Sequence, residues 1–196
     1  MITINKLKIK EINTFVTLNI YEGITYISGK NGSGKTLFLD YISKIRKAKT
    51  KNISGNTNMI YMRQNFSFYN RIRVKEFIKF VYNLCEENYI NFYSFLKRHH
   101  ISIDIEKIKN TKMGMLSGGE RKLIYILTIL SLQRDWYILD EPFVNIDKET
   151  KKEIINLILQ LKKENRNFIL TNHDDLPYLL EHVDYVINFE EVKVHF

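Results

Sequence analysis

The eight residues GKNGSGKT, 29–36, constrain this chain more than any other stretch. A β-rich apolar run, GITYISG (23–29), leads into them. The run that follows, KTLFLDYISKIRKA (35–48), carries apolar residues at 37, 38, 41, 42 and 45, a helical spacing. Strand, glycine-rich turn and helix in that order is the setting in which G-x-x-x-x-G-K-[ST] forms a P-loop. There Gly29, Lys30, Asn31, Gly32, Ser33 and Gly34 let successive backbone N–H groups turn inward around an anion, which also meets the positive end of the following helix. Lys35 is placed to reach β- and γ-phosphates, and the hydroxyl of Thr36 to ligate Mg²⁺. A Gly/Ser hairpin turn shares the composition but not the full pattern in this context.

A second stretch completes that chemistry. WYILDEP (136–142) reads as an apolar strand ending in two carboxylates, and charge beside apolar residues is costly unless something neutralises it. Solvated strand ends often carry Asp and Glu, so the pair means little alone. Beside a P-loop it supplies a magnesium ligand in Asp140 and, in Glu141, a base that orients and activates an attacking water.

The rest of the chain supports one compact α/β unit. Ile2, Ile4, Leu7 and Ile9 read as a strand, and so do 15–20, 59–64, 135–140 and 167–172. YVINF (185–189) and VKVHF (192–196) read as a closing hairpin, after a helix over 174–183. Helices are expected over 148–164 and after the turn in LSGGERKLIYILTILSLQ (116–133). Between about 65 and 116 the aromatic and aliphatic residues step by three and four, which predicts an inserted helical subdomain. Strands alternating with helices imply a mostly parallel sheet covered by helices, here with antiparallel strands at the N-terminus.

Composition excludes several classes. No apolar run approaches the roughly 18–20 residues needed to span a bilayer. The opening MITINKLKIKEI has neither the apolar core nor the cleavage site of a secretory leader. Cys85 is the single cysteine, which suits a reducing cytosol. Basic residues exceed acidic ones by 30 to 22, but they are spread along the chain, so the surplus selects no partner by itself.

GKNGSGKT, LSGGE (116–120), ILDEP and LTNHD (170–174), in this order, resemble the ATP-binding cassette (ABC) ATPases, from about residue 2 to 190. The resemblance implies an α/β P-loop NTPase fold: a RecA-like core over about 1–64 and 117–196, with a helical subdomain over about 65–116. It implies ATP hydrolysis with Mg²⁺. Gln64 then matches the Q-loop glutamine that senses the metal, Asp147 the D-loop aspartate, and His173 a switch histidine that contacts the γ-phosphate. Ser117, Gly118 and Gly119 open a helix and form a second anion site. In the family, that signature closes on the ATP held by the P-loop of a second cassette, so a like or unlike second cassette is an implied partner. The aromatic that usually stacks on adenine is absent from the first twelve residues; Phe15 or Tyr21 could serve, or adenine is held loosely, and the residue is left unassigned.

Two roles fit such an ATPase. A soluble one acting on nucleic acid or ribosomes resembles proteins with long coiled coils between the motif halves, or with two cassettes in one chain. Here about fifty residues separate the halves and there is one cassette. The expectation is therefore an energy-coupling subunit of a membrane transporter. It would sit on the cytoplasmic face of the cell membrane, with a separately encoded transmembrane subunit as partner, and nucleic acid is not expected. The ten aromatic residues between Phe66 and Phe95 exceed what a short subdomain buries easily. The segment Phe66 to Arg73 matches the family's docking site for that partner.

Overall fold

The N-terminal strand pattern contains a phase change. Ile2 and Ile4 keep a period of two, as do Leu7 and Ile9, but three residues separate Ile4 from Leu7. In the computed structural model, β1 (Ile2–Ile9) resolves this with a register shift between Ile4 and Leu7, where Lys6 takes φ 47° and gives its N–H to Thr17 Oγ1 at 2.9 Å. The bulge returns all four side chains to one buried face. The structure describes residues 1–48, 50–64, 66, 69–172 and 177–195.

Among the described residues the strands form two sheets. The antiparallel sheet has the order β4 (Ile53–Ser54), β1, β2 (Thr14–Ile20), β9 (Lys193–His195). The other has five strands in the order β5 (Met59–Met62), β6 (Trp136–Asp140), β7 (Asn167–Thr171), β3 (Ile24–Ser28), β8 (Tyr185–Asn188), every pairing parallel. Helix α1 (Lys35–Ile42) contributes Phe38, Leu39, Tyr41 and Ile42 to a core that includes residues of both sheets. This bears out the expected α/β class.

The chain divides into two units. The sheets lie in the first: Met1–Gln64, Arg134–Val144 and Lys152–Phe196. The second comprises Asn65–Gln133 and Asn145–Lys151, with α2 (Val74–Leu84), α3 (Ile90–Arg98), α4 (Ile105–Ile108) and α5 (Gly118–Ser131). The boundary expected at 116 therefore moves to Gln133. Helix α5 joins the helical unit because its inner face packs there: Tyr82 donates to Ser131 Oγ at 2.8 Å, and Phe77 sits edge-on to Tyr125. Helix α6 (Lys148–Lys163) starts in the second unit and continues in the first, and α7 (Pro177–Leu180) follows β7.

Two other expectations change. The helix after the P-loop ends at Ile42, not at 48; Lys44 takes φ 65° and Arg46 donates its N–H back to the Asp40 carbonyl. The closing strands are not a hairpin, since β8 pairs with β3 and β9 with β2. The sequence reading had also passed over β4 and α4, at two and four residues too short to show a period.

Gly23, at φ 112°, precedes β3, and a Cβ there would meet Asp184 Oδ2 at 2.4 Å. That oxygen accepts the Ile24 N–H at 2.7 Å, and Oδ1 accepts from Lys162 at 2.5 Å. Gly23→Ala is expected to lower stability by about 1–3 kcal/mol in chemical denaturation. Burial raises the Asp184 carboxyl, but the bonds from Lys162 and Ile24 outweigh it and hold the group below its usual 3.8. A depressed pKa stabilises the fold above the unfolded value, so this contribution disappears as pH falls below about 3.8. Asp184→Asn should flatten that acid limb.

Candidate functional site

The turn between β3 and α1 is built for close approach. Gly34 caps α1 in the left-handed region, φ 101°, and a Cβ there would strike Ile12 Cδ1 at 2.6 Å. Residues 31–37, Gln64 and Glu141 line a cavity of about 320 Å³. Lys35, only 6% exposed, closes the cradle on itself: Nζ donates to the carbonyls of Gly29 at 2.5 Å and Lys30 at 3.0 Å. Burial lowers its pKa, against the charges of Glu141, Asp140 and Glu190, while Lys193 adds to the lowering. Ser33 Oγ is buried without a hydrogen-bond partner among the described residues. A phosphate would supply one and would give Lys35 a charged partner.

Asp140, 1% exposed at the end of β6, gathers three hydroxyls. Oδ2 accepts from Thr36 at 2.8 Å and from Tyr61 at 3.3 Å, and Oδ1 accepts from Thr171 at 2.5 Å. The parallel register sets Asp140 opposite Thr171, whose Oγ1 and carbonyl also receive the Glu141 N–H. Glu141 is 3% exposed and takes φ 50°, a strained setting for a non-glycine residue. Its Oε2 accepts from Gln64 Nε2 at 2.5 Å. The Thr36 hydroxyl and Asp140 carboxylate are adjacent hard oxygen donors, which fits Mg²⁺, an ion that takes few protein ligands beside phosphates and water. Gln64 engages Glu141 instead of that pair, leaving its own amide oxygen as the acceptor it can offer a metal. Thr171 and Tyr61 were missed from sequence; each lies on a strand flanking β6, visible only once strand order is known.

In the helical unit, Ser117 caps α5. Its Oγ accepts the Glu120 N–H at 3.2 Å, while Glu120 accepts the Ser117 N–H at 2.7 Å, a bond that holds the glutamate below its usual pKa. Nothing lies within 4 Å of a Cβ built on Gly118, while one on Gly119 would sit 3.0 Å from the Asn145 carbonyl. Asp147 accepts the Thr150 N–H at 2.9 Å at the start of α6. His173 lies outside the described residues. For the adenine platform, Phe15 carries Lys8 over its ring and Tyr21 packs on Tyr185. Ile12 and Phe189 lie against the P-loop glycines.

The family model described as "ABC transporter" matches residues 14–144. The zinc import ATP-binding protein ZnuC of Rickettsia bellii is 29% identical over 187 residues, covering 93% of this chain and 76% of that protein. The lipoprotein-releasing system ATP-binding protein LolD of Buchnera aphidicola is 31% identical over 206 residues, covering 89% and 87%. In structure, the ATP-binding subunit of an ABC transporter superposes with TM-score 0.84 at 16% identity, covering all of this chain and 90% of that one. The dimeric ABC transporter cassette MJ0796 gives TM-score 0.76 at 20% identity, covering 96% and 95%. The chain belongs to the ABC transporter family, as one of its ATP-binding, ATP-hydrolysing cassettes.

Proposed function

We propose that this cassette powers a membrane transporter by closing with a second cassette around ATP and hydrolysing it. The convergence of Thr36, Gln64, Asp140 and Glu141 at the P-loop cavity carries the reading. Residues 1–196 act as a single ABC domain, with a RecA-like sheet core and a helical subdomain. Lys35 exchanges its carbonyl partners for the β- and γ-phosphates. Thr36 and Asp140, with Gln64, hold Mg²⁺, which when bound neutralises phosphate charge. Glu141 takes a proton from water as the water oxygen bonds to the γ-phosphorus; the bond to the β–γ bridging oxygen breaks and ADP leaves. His173 positions that water. Ser117, Gly118 and Gly119 of the second cassette complete the γ-phosphate shell, with Asp147 at the same junction.

The transmembrane partner docks at Phe66 to Arg73. Of the nine described aromatics in the insertion, Phe77, Tyr82, Phe92 and Phe95 are buried, and Tyr89 and Tyr93 half-buried. Phe66, Tyr69 and Phe80 remain 42%, 72% and 53% exposed, and Phe68 lies outside the described residues. Exposed aromatics beside Arg71 and Arg73 suit an interface. Among the described residues no helix is long and apolar enough to cross a membrane, so attachment runs through that partner.

Lys35→Ala should weaken ATP binding, whereas Glu141→Gln should bind normally and lose turnover by about 10²-fold or more. Nucleotide titration with phosphate release checks both. Glu141→Gln with saturating Mg-ATP should also run as a dimer in light scattering, and adding Ser117→Arg should return it to a monomer that still binds ATP. Reversing the charges of Arg71 and Arg73 should release the protein from membranes carrying the spanning subunit without changing ATP affinity. Undiminished membrane recovery places the docking surface elsewhere.

A further inference from the structure

Asp40 is a buried carboxylate outside the reaction chemistry. It lies on α1, and its side chain is 2% exposed. Such a group is costly unless paired. Its pairing is uneven: Arg46 Nε at 3.2 Å and Arg63 Nη2 at 3.1 Å both reach Oδ2, while Oδ1 has no hydrogen-bond partner among the described residues. Arg46 continues to Glu11 at 2.6 Å, one residue before the Ile12 that packs on the P-loop. Arg63 leads to the reaction centre. It is the single residue between the end of β5 and Gln64, and two positions before it Tyr61 reaches Asp140. Tyr61 gives its hydroxyl hydrogen to Asp140 Oδ2 at 3.3 Å.

Fixing Arg63 fixes the path by which the chain leaves β5. That path decides where the Gln64 amide meets Glu141 and how Tyr61 approaches Asp140. We infer that Asp40 is a positioning residue for ATP hydrolysis, holding Arg63 so that Gln64 and Tyr61 set the orientations of Glu141 and Asp140. The inference rests on the reading of Glu141 as base and Asp140 as metal ligand. A purely structural tie between α1 and β5 would affect folding stability and leave the chemistry of the folded protein alone.

The test compares Arg63→Gln, Arg63→Lys and Asp40→Asn with the parental protein in steady-state Mg-ATP hydrolysis and in metal-free nucleotide titration. Arg63 is 48% exposed, so its variants should fold. Arg63→Gln should lose about tenfold in kcat, against the roughly hundredfold that a 1 Å misplacement can cost. It should also need more Mg²⁺ for half-maximal rate, with metal-free ATP affinity unchanged. Arg63→Lys should recover part of kcat, because its ammonium still pairs with Asp40. The Arg63→Gln, Asp40→Asn double variant should be no slower than the slower single one, as residues acting as a unit are. If Asp40→Asn does not fold, the Arg63 pair carries the test alone. Parental kcat and Mg²⁺ dependence in Arg63→Gln overturns the inference, as does an Arg63→Lys no better than Arg63→Gln. Glu141→Gln, measured alongside, separates the two readings. Parental turnover there overturns the base assignment itself. Loss of turnover there beside a parental Arg63→Gln overturns positioning alone.

Discussion

A carboxylate at the end of an apolar strand needs an environment that accepts its charge, and the arrangement around Asp140 provides it. Three hydroxyls converge on it, from Thr36 on α1, Tyr61 on β5 and Thr171 on β7. Each comes from a different element, so the P-loop helix and two flanking strands are registered against one side chain. Strand order does the rest, because β6 lies between β5 and β7 and its end is flanked on both sides. The three bonds leave the carboxylate oriented toward Thr36, where a divalent ion can be shared between two oxygens. Thr171 extends the same control to the next residue, since it receives the Glu141 N–H as well. One threonine therefore fixes both Asp140, the proposed metal ligand, and Glu141, the proposed base that follows it.

Much of this was legible in the sequence. The P-loop, the ILDEP strand and the signature turn are local patterns, and local patterns survive without knowledge of the fold. Long periodic helices such as α5 and α6 were equally readable, because many side chains agree on one face. What the sequence withheld depends on distant partners. YVINF and VKVHF look like two halves of a hairpin; instead β8 completes the parallel sheet beside β3, and β9 crosses to the antiparallel one beside β2. Helical spacing continues to Ile45, yet α1 stops at Ile42, where the chain turns and Arg46 folds back onto Asp40. No periodicity encodes that ion pair. Thr171 and Tyr61 are ordinary strand residues until parallel register sets them beside Asp140.

Aromatic content was an ambiguous signal for the same reason. Ten rings in thirty residues announce either a dense core or an exposed surface, and the insertion uses them for both. Phe77, Tyr82, Phe92 and Phe95 point inward at helical spacing on α2 and α3. Phe66 stacks on Tyr125 at 4.6 Å while keeping much of its surface open. Periodicity separates the two populations only inside the helices. Phe66 and Tyr69 precede α2, where no period applies.

Lys35 is held inside the P-loop by the loop's own backbone. A buried ammonium is costly without acceptors, and the carbonyls of Gly29 and Lys30 supply two. The nearby charges of Asp140 and Glu141 favour the protonated form against desolvation. On the proposed reading, ATP would exchange these neutral carbonyls for phosphate oxygens, and that exchange would strengthen each bond, since both partners are then charged. Ser33 would gain a partner for its buried hydroxyl in the same event. Binding would thus improve contacts that the folded protein already holds in place, and little reorganisation would have to be met from the binding energy.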